Sequence, residues 1–443
     1  MITPFWNTTT SLYSNQSWLP DGNLSKRNSD SWASFSSSSS NQTEIWAIND
    51  TPPINKNSLK TLKIRIYPTS DQSIILKKFF GAARFTYNQS LNLFRDNLAR
   101  TKEALRAKCI NSEALTDSSM KWLSEIPYSI RDEAMNDLYI AYTTGLKLVK
   151  EEKLKTFDMK YRTKNDLTQS IKICHQYIKI LSENTFTCFS KFLNDALKST
   201  EKLPSIINHD CRLQWLPRLN EFYLCIPMDI DIIDRELYLP YERIVALDPG
   251  VRTFMTGYDP KGYCFKWGHQ DLNKIYRLCY CLDRLQSRLM DKNIRHKRRY
   301  RLKRVMARMR KRIRDLVDDS HKKLCSFLCE KYDLILLPKF ETSKMVIKGK
   351  RKIRSKTARQ MLTWGHYRFQ ERLIFKVKEY KGCWVKIVNE AYTSKTCGRC
   401  GEIKKNLGGN KIYKCDRCGL KIDRDINGAR NIYLRTITEL IKL

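Results

Sequence analysis

Two Cys-x-x-Cys pairs in the last fifty residues constrain this chain more than any other feature. They read Cys397-Gly-Arg-Cys400 and Cys415-Asp-Arg-Cys418, fourteen residues apart, and Gly419-Leu-Lys-Ile-Asp423-Arg-Asp425-Ile-Asn427-Gly-Ala follows at once. Zinc takes soft thiolates in a tetrahedron, and two intervening residues let one tight turn aim both sulfurs of a pair at one ion. The double spacing predicts one structural zinc ribbon with all four cysteines as ligands. Four unrelated buried cysteines are the weaker alternative. A structural metal says little about function; the carboxylates that follow it say more.

The charge balance narrows the partners. Lys and Arg number 82 against 46 Asp and Glu, a net charge of +36. Residues 1–58 hold three basic and four acidic side chains, so the positive excess lies beyond them. A body this basic repels itself unless it meets a polyanion, and nucleic acid is the first expectation. An anionic membrane surface comes second, and no apolar run is long enough for a spanning helix. Fifteen cysteines without a secretory signal pattern point to a reduced, intracellular setting. Cys225, Cys325 and Cys329 sit in apolar runs and read as small buried hydrophobes. Five Asn-x-Ser/Thr triplets in the first fifty residues, at Asn7, Asn15, Asn23, Asn41 and Asn49, then read as chance products of a Ser/Asn-rich tail.

Residues 1–58, with the serine run Ser36 to Ser40 and Pro52-Pro53, predict a disordered extension. Alternation over Lys60 to Tyr67 predicts a strand, and Thr69-Ser-Asp-Gln72 opens a helical pattern through Leu76, Phe79, Phe80, Ala83, Leu91 and Phe94. A second amphipathic helix is expected from Arg131 to Lys155. Strand-like runs at Ser170 to Ile173 and Phe222 to Ile226 make the following region β-rich. The expected organisation is a β-rich, wedge-like domain over 59–80 and 156–240 and a helical recognition bundle over 81–155. An α/β domain follows over 241–395 and 420–443, with the zinc ribbon inserted at 396–419. In that last domain Ile244 to Leu247, Thr253 to Tyr258, Tyr263 to Trp267, Leu334 to Leu337 and Trp384 to Val388 read as strands. Leu272 to Lys331 and Gln360 to Tyr380 read as helical, and a final helix starts near Ile426. Three strands, helix, strand, helix, strand, helix is the element order of the RNase H-like α/β fold.

Asp248 ends a buried strand before Pro249-Gly250, the edge where open α/β sheets place their sites, although turns also favour Asp there. Asp423 and Asp425 precede a helix, and one of them is expected to act as its N-cap. Small residues after Asp425 would let that helix approach the sheet and carry Asp425 towards Asp248. Carboxylates meeting at a sheet edge can hold Mg²⁺ through hard oxygens, and two such ions about 4 Å apart serve phosphodiester hydrolysis.

Ile-Val-Ala-Leu-Asp248-Pro-Gly, the paired cysteines and Asp423-Arg-Asp425-Ile-Asn-Gly-Ala together resemble the split RuvC nuclease and zinc ribbon of TnpB and its eukaryotic and giant-virus relatives, the Fanzor proteins. Ile-Tyr67-Pro68-Thr-x-x-Gln72, Gly81-Ala-Ala-Arg84-Phe-x-Tyr87-Asn88 and Tyr392-Thr-Ser394-Lys-Thr-Cys397 extend the resemblance over about residues 59–435. It implies an RNA-guided, Mg²⁺-dependent DNA endonuclease that binds a guide RNA encoded beside its gene. It further implies that the guide pairs with double-stranded target DNA next to a short flanking motif, and that a single site cuts both strands. A monomer within a ribonucleoprotein is implied, without a membrane, and in the nucleus if the host is eukaryotic. The family places a glutamate at the end of the fourth strand, where this chain has Pro338. Glu390, ending the next strand, and Glu341, three residues on, are the replacements. Adjacent strands lie about 4.8 Å apart, which favours Glu390, whereas an odd offset turns Glu341 to the opposite face. The resemblance also implies a relocated glutamate before the ribbon, giving Asp248, Glu390 and Asp425 as the catalytic, magnesium-holding set. A site without a working third carboxylate stays open.

The densest basic run includes Arg298, Arg299, Arg301, Lys303, Arg304, Arg308, Lys311 and Arg312. Leu302, Val305, Met306, Met309 and Ile313 keep one helical face apolar, so these cations are expected along a nucleic-acid backbone. This run and Lys348 to Arg359 also fit nuclear import signals. Trp364, Tyr367 and Phe369 are expected to pack a helix on the sheet, with base stacking the alternative, and His366 is expected to be structural. Alternatives for the whole chain are a transposase, an RNA-guided binder with a dead nuclease, and a zinc protein that binds nucleic acid by charge alone.

Overall fold

The computed structural model describes residues 58–441 except 117–119, 235–242, 270, 292, 352, 405–407 and 409. The extension expected over residues 1–58 therefore lies outside the described residues but for Ser58. The described residues up to Ile230 form one compact unit, and those from Asp231 onward form another.

The first unit is built on strand β1 (Leu59–Tyr67), whose Ile64 and Ile66 are buried between exposed or half-exposed neighbours. Thr69 then caps helix α1 (Ser70–Arg95): its hydroxyl accepts from the Gln72 amide, and the Gln72 side chain accepts from the Thr69 amide. Helices α2 (Lys102–Cys109) and α3 (Tyr128–Lys150) follow. The chain continues through β2 (Gln169–Ile173), β3 (Ile178–Ser182), β4 (Thr185–Cys188), the single-turn helix α4 (Ser190–Leu193), β5 (Leu197–Ser199), β6 (Cys211–Leu216) and β7 (Glu221–Asp229). The seven strands form one sheet in the order β2-β6-β7-β1-β5-β4-β3. Leu76, Phe79, Phe80 and Ala83 of α1 share a core with Ile130 of α3 and with Ile171, Leu213, Leu224 and Ile226 of the sheet. Helix α1 thus crosses the boundary read at residue 80. Its apolar stripe is continuous, and helices and strands bury a common core instead of forming separate wedge and bundle. The unit also closes at Ile230 rather than 240, because Ile233 bridges to Tyr380 in the second unit.

The second unit holds β8 (Ile244–Pro249), β9 (Met255–Tyr258), β10 (Cys264–Trp267), α5 (Asp271–Met290), α6 (His296–Lys331), β11 (Leu334–Pro338), the single-turn helix α7 (Thr342–Met345), α8 (Ser355–Trp364), α9 (His366–Lys376) and β12 (Trp384–Val388). The ribbon strands β13 (Ile412–Lys414) and β14 (Lys421–Asp423) and helix α10 (Arg424–Ile441) complete it. The sheet order is β10-β9-β8-β11-β12, with β8, β11 and β12 parallel and the other two pairings antiparallel. Two expected helices are each split. The helical stretch from 272 breaks between Met290 and His296, and the 360–380 stretch breaks at Gly365, whose φ of +61° ends α8 and starts α9. Trp364 and Phe369 flank that break and are buried, Trp364 donating to the Val251 carbonyl. Tyr367 is 65% exposed. His366 packs between the rings of Phe254 and Phe340. No described helix is long and apolar enough to cross a membrane.

In the first unit, Asp137 of α3 accepts from Arg162 at 2.9 Å and from Arg212 of β6 at 2.7 Å. Burial alone would raise its carboxyl, but the two guanidinium hydrogen bonds overrule that and hold it below the usual range. Its stabilisation is therefore present above an unfolded value of about 3.9 and is lost as pH falls through the folded one. Asp137→Asn is expected to cost about 3 kcal/mol. That loss is read as faster amide exchange in α3 and β6; unchanged exchange there would refute the role.

Candidate active site and metal centre

Side chains alternate across a strand, so every second residue of the parallel strands shares a face. Ile244 and Ala246 of β8, Leu334 and Leu336 of β11 and Val388 of β12 pack with Ile432 of α10 on one face. Val245, Leu247, Ile335, Leu337 and Val385 face the larger core, with residues of α5, α6, α8 and α9. Asp248 is the next member of the first series on β8. Glu390 stands two residues beyond Val388, which pairs with Pro338. Both carboxylates thus leave the carboxyl ends of parallel strands on the face that α10 covers.

Helix α10 supplies the third acid. Asp423 is its cap: one carboxylate oxygen accepts from the amides of Asp425 and Ile426 at 3.0 and 3.3 Å, and the side chain also pairs with Lys266. That leaves Asp425 unspent as a cap. One turn on, Gly428 lies against Asp248: a Cβ there would stand 2.8 Å from Asp248 Oδ2. The missing side chain is what admits the helix to the sheet edge.

Burial, followed by the charges of Asp425 and Glu390, pushes the Asp248 carboxyl well above its usual range. Burial lifts Glu390 to about 6. Asp425 is raised by burial and then by Asp423. None of the three joins an ion pair among the described residues, so the repulsion at Asp248 is not cancelled by a paired cation. Such a set suits a hard divalent ion, which would supply the missing charge. Their oxygens do not all fall within 4.8 Å of one another, as the four sulfurs do. Glu341 is drawn elsewhere, into pairs with Lys339 at 3.3 Å and Lys344 at 2.6 Å.

The sulfurs of Cys397, Cys400, Cys415 and Cys418 all lie within 4.8 Å of one another, with Cys397–Cys418 and Cys400–Cys415 each at 3.6 Å. A zinc tetrahedron with bonds of about 2.3 Å has edges near 3.8 Å, so the four fit one ion. None of the fifteen cysteines forms a disulfide. The Cys418 amide, with that of Arg417 behind it, lowers the Cys415 thiol to about 7, close to the ligating thiolate. Hairpin β13–β14 runs past the expected ribbon limit at 419, because Asp423 both pairs with Ile412 and caps α10.

Two residues that the motif reading left without a role join ribbon to helix. Asn427 accepts from the Gly398 amide at 3.1 Å and donates to the Thr396 carbonyl at 2.8 Å. Asn431 donates to the carbonyls of Thr393 and Thr396 at 2.8 and 2.7 Å. Both are buried. Gly398 fits beneath them, since a Cβ there would stand 3.1 and 3.2 Å from their side-chain oxygens. The Asn at i and i+4 on a small-residue helix face was the only available signal.

The basic run occupies the first half of α6. Arg298, Arg301, Lys303, Arg308 and Arg312 are exposed, whereas Arg299, Arg304 and Lys311 are half-buried and Lys311 pairs with Asp315 at 2.6 Å. Met306, Ile313 and Val317 are buried on the opposite side.

A mixed α/β sheet unit with a four-cysteine ribbon leading into its last helix defines the class. Comparison with known proteins agrees. The family model described as "Cas12f1-like, TNB domain" matches residues 366–432, and "Helix-turn-helix domain" of the IS605 OrfB type matches 58–103. TnpB-like protein L770 of Acanthamoeba polyphaga mimivirus is 29% identical over 394 residues, covering 84% of this chain and 72% of its own. InsQ of Escherichia coli (strain K12), provisionally named as an RNA-guided DNA endonuclease, is 24% identical over 387 residues, covering 84% of this chain and 91% of its own. A solved Cas12f1–sgRNA–target DNA complex aligns over 85% of this chain and 99% of that one, at 15% identity and a TM-score of 0.48. These matches are to TnpB-like and Cas12f1-like proteins.

Elemental analysis of the purified protein is expected to give one zinc per chain. Cys415→Ser should lower that content and speed amide exchange at the start of α10; an unchanged content would refute the tetrahedron. Gly428→Ala should cost about 1–3 kcal/mol as the helix or the Asp248 carboxylate is pushed aside. An unshifted melting midpoint would contradict that contact.

Proposed function

We propose that this protein is an RNA-guided, magnesium-dependent DNA endonuclease whose single site is formed by Asp248, Glu390 and Asp425. The observation that carries it is electrostatic. Three acids from distant segments, all raised chiefly by burial, stand at or against the carboxyl ends of parallel strands, and none has a basic ion-pair partner among the described residues. The five-stranded order, three antiparallel then two parallel neighbours, supports assigning the unit to the RNase H-like class. The similarity to TnpB-like proteins, and the relatives named for guided cleavage, support the activity.

In this reading Asp248, Glu390 and Asp425 would hold magnesium. When bound, it supplies Lewis acidity and an activated water for phosphodiester hydrolysis. The protein's own part is to bring the three carboxylates to one partly water-excluded edge, where burial favours their neutral forms and a divalent ion would take the place of the protons. The exposed cations of α6 would lie along phosphates. The partners would be a guide RNA and double-stranded target DNA, bound by one protein chain per particle, and the basic clusters would serve nuclear entry in a eukaryotic host.

A second reading, a guided binder without cleavage, rests on Pro338, which stands where the family pattern has a metal-binding glutamate. One preparation separates the two: protein expressed with its flanking DNA, its bound RNA sequenced, then given Mg²⁺ and matched plasmid. Asp248→Asn, Glu390→Gln and Asp425→Asn are each expected to slow cutting by roughly a thousandfold or more, while Glu341→Gln stays within about twofold of wild type. Bound RNA without cutting would favour the binder, and absence of a discrete RNA would remove the guided reading altogether.

The raised Glu390 also fixes a sign. An unfolded glutamate titrates near 4.3 and the folded one near 6, so its contribution to stability is full below the first value and lost as pH rises through the second. Metal-free protein is expected to lose stability between about pH 4 and 6, and Mg²⁺ should restore it above that range. A melting midpoint insensitive to Mg²⁺ at about pH 7.5 would count against the carboxylate set.

A further inference from the structure

A cleft of about 570 Å³ opens within the first unit, between the start of α3, the turn before β3, and α4. Arg131, Lys179 and Lys191 line it, and no Asp or Glu does. Lys179 and Lys191 are exposed. Arg131 is the unusual member. It is 6% exposed, its Nη1 donates to the Ile110 carbonyl, and its Nε has no hydrogen-bond partner. No carboxylate pairs with it among the described residues. A buried guanidinium without an anion is costly, and the nearby acids are engaged elsewhere: Asp132 with Arg106 and Glu133 with Lys172. Burial accordingly pulls Arg131 below its ordinary value.

The rest of the lining is aromatic. Tyr177 stacks on Phe189, ring centroids 5.8 Å apart at 24°, and remains 44% exposed. Tyr128, beneath the Arg131 guanidinium, is 49% exposed. Cations without acids answer a phosphate, and open tyrosine rings answer a nucleobase; each is a familiar half of nucleotide recognition. We propose that this cleft binds a single nucleotide, its phosphate held by Arg131, Lys179 and Lys191 and its base stacked on Tyr177. The assignment does not rest on the nuclease reading, since the cleft lies wholly in the first unit.

The test uses the full chain freed of nucleic acid at high salt, titrated calorimetrically with adenosine 5′-monophosphate. Saturation at one site per chain is expected, with adenosine and inorganic phosphate each at least tenfold weaker. Arg131→Met should weaken the mononucleotide at least tenfold and raise the melting midpoint, because a buried unpaired charge is gone. Tyr177→Leu, at an exposed position, should weaken the mononucleotide tenfold while leaving phosphate binding alone, and it decides the matter if Arg131→Met does not fold. Phosphate binding as well as the mononucleotide, no saturable site, or affinity unchanged in Tyr177→Leu would overturn the proposal. A 5′-phosphorylated triadenylate compared with the mononucleotide identifies the source. Tighter binding marks a residue of a strand and equal binding a free nucleotide, and either upholds the cleft. Plasmid cutting is not read in these arms, so their failure leaves the carboxylate site untouched.

Discussion

The approach of α10 to the sheet edge is the contact on which both the acid cluster and the cysteine ribbon depend. It is close because Gly428 has no side chain to hold Asp248 away. It is specific because the buried amides of Asn427 and Asn431 find carbonyl and amide partners only in the segment that leads into the first cysteine pair. A buried amide left without partners would cost about 1–3 kcal/mol, so helix and knuckle are held to one relative placement. The ribbon is thereby a strut for the helix that carries Asp425, more than an appendage between two elements.

What could be read from the sequence was what is local. The capping pair Thr69 and Gln72 lie three residues apart, and the four cysteines carry their chemistry in their spacing. Asp423 and Asp425 could be narrowed to one cap and one free acid, and hydrogen bonds to Asp423 settle which is the cap. Glu390 and Glu341 were separable in part by strand parity, which the shared face of Ala246, Leu336 and Val388 makes concrete. What stayed hidden involves partners distant in sequence with no residue-type signature. Asn427 and Asn431 bond to backbone groups about thirty residues away, and any residue can supply a carbonyl. Arg131 looks like one more polar position on an amphipathic helix until its burial without an acid is seen. The boundary at residue 80 failed because a composition change does not end a helix whose apolar stripe continues.

Charge is distributed unevenly in kind as well as amount. The exposed arginines of α6 are screened by water and salt, so their repulsion is mild. The acids near Asp248 cannot relax in the same way, and their pKa values rise instead. The same chain thus stores one sign of strain on its surface and the opposite sign at a sheet edge.

Asp248 stands on the first strand of the second unit and Asp425 on its last helix, with four strands, the long α6 and the whole ribbon translated between them. Chains emerge from synthesis in order, at about 5–20 residues per second, and early segments fold first. The first carboxylate is therefore exposed for many seconds before its counterpart exists. During that interval a strongly basic polypeptide stands with the acid cluster incomplete. Ribosome stalling or truncation anywhere before the ribbon would leave a product without the finished edge, a built-in order of assembly written by where one aspartate falls along the chain.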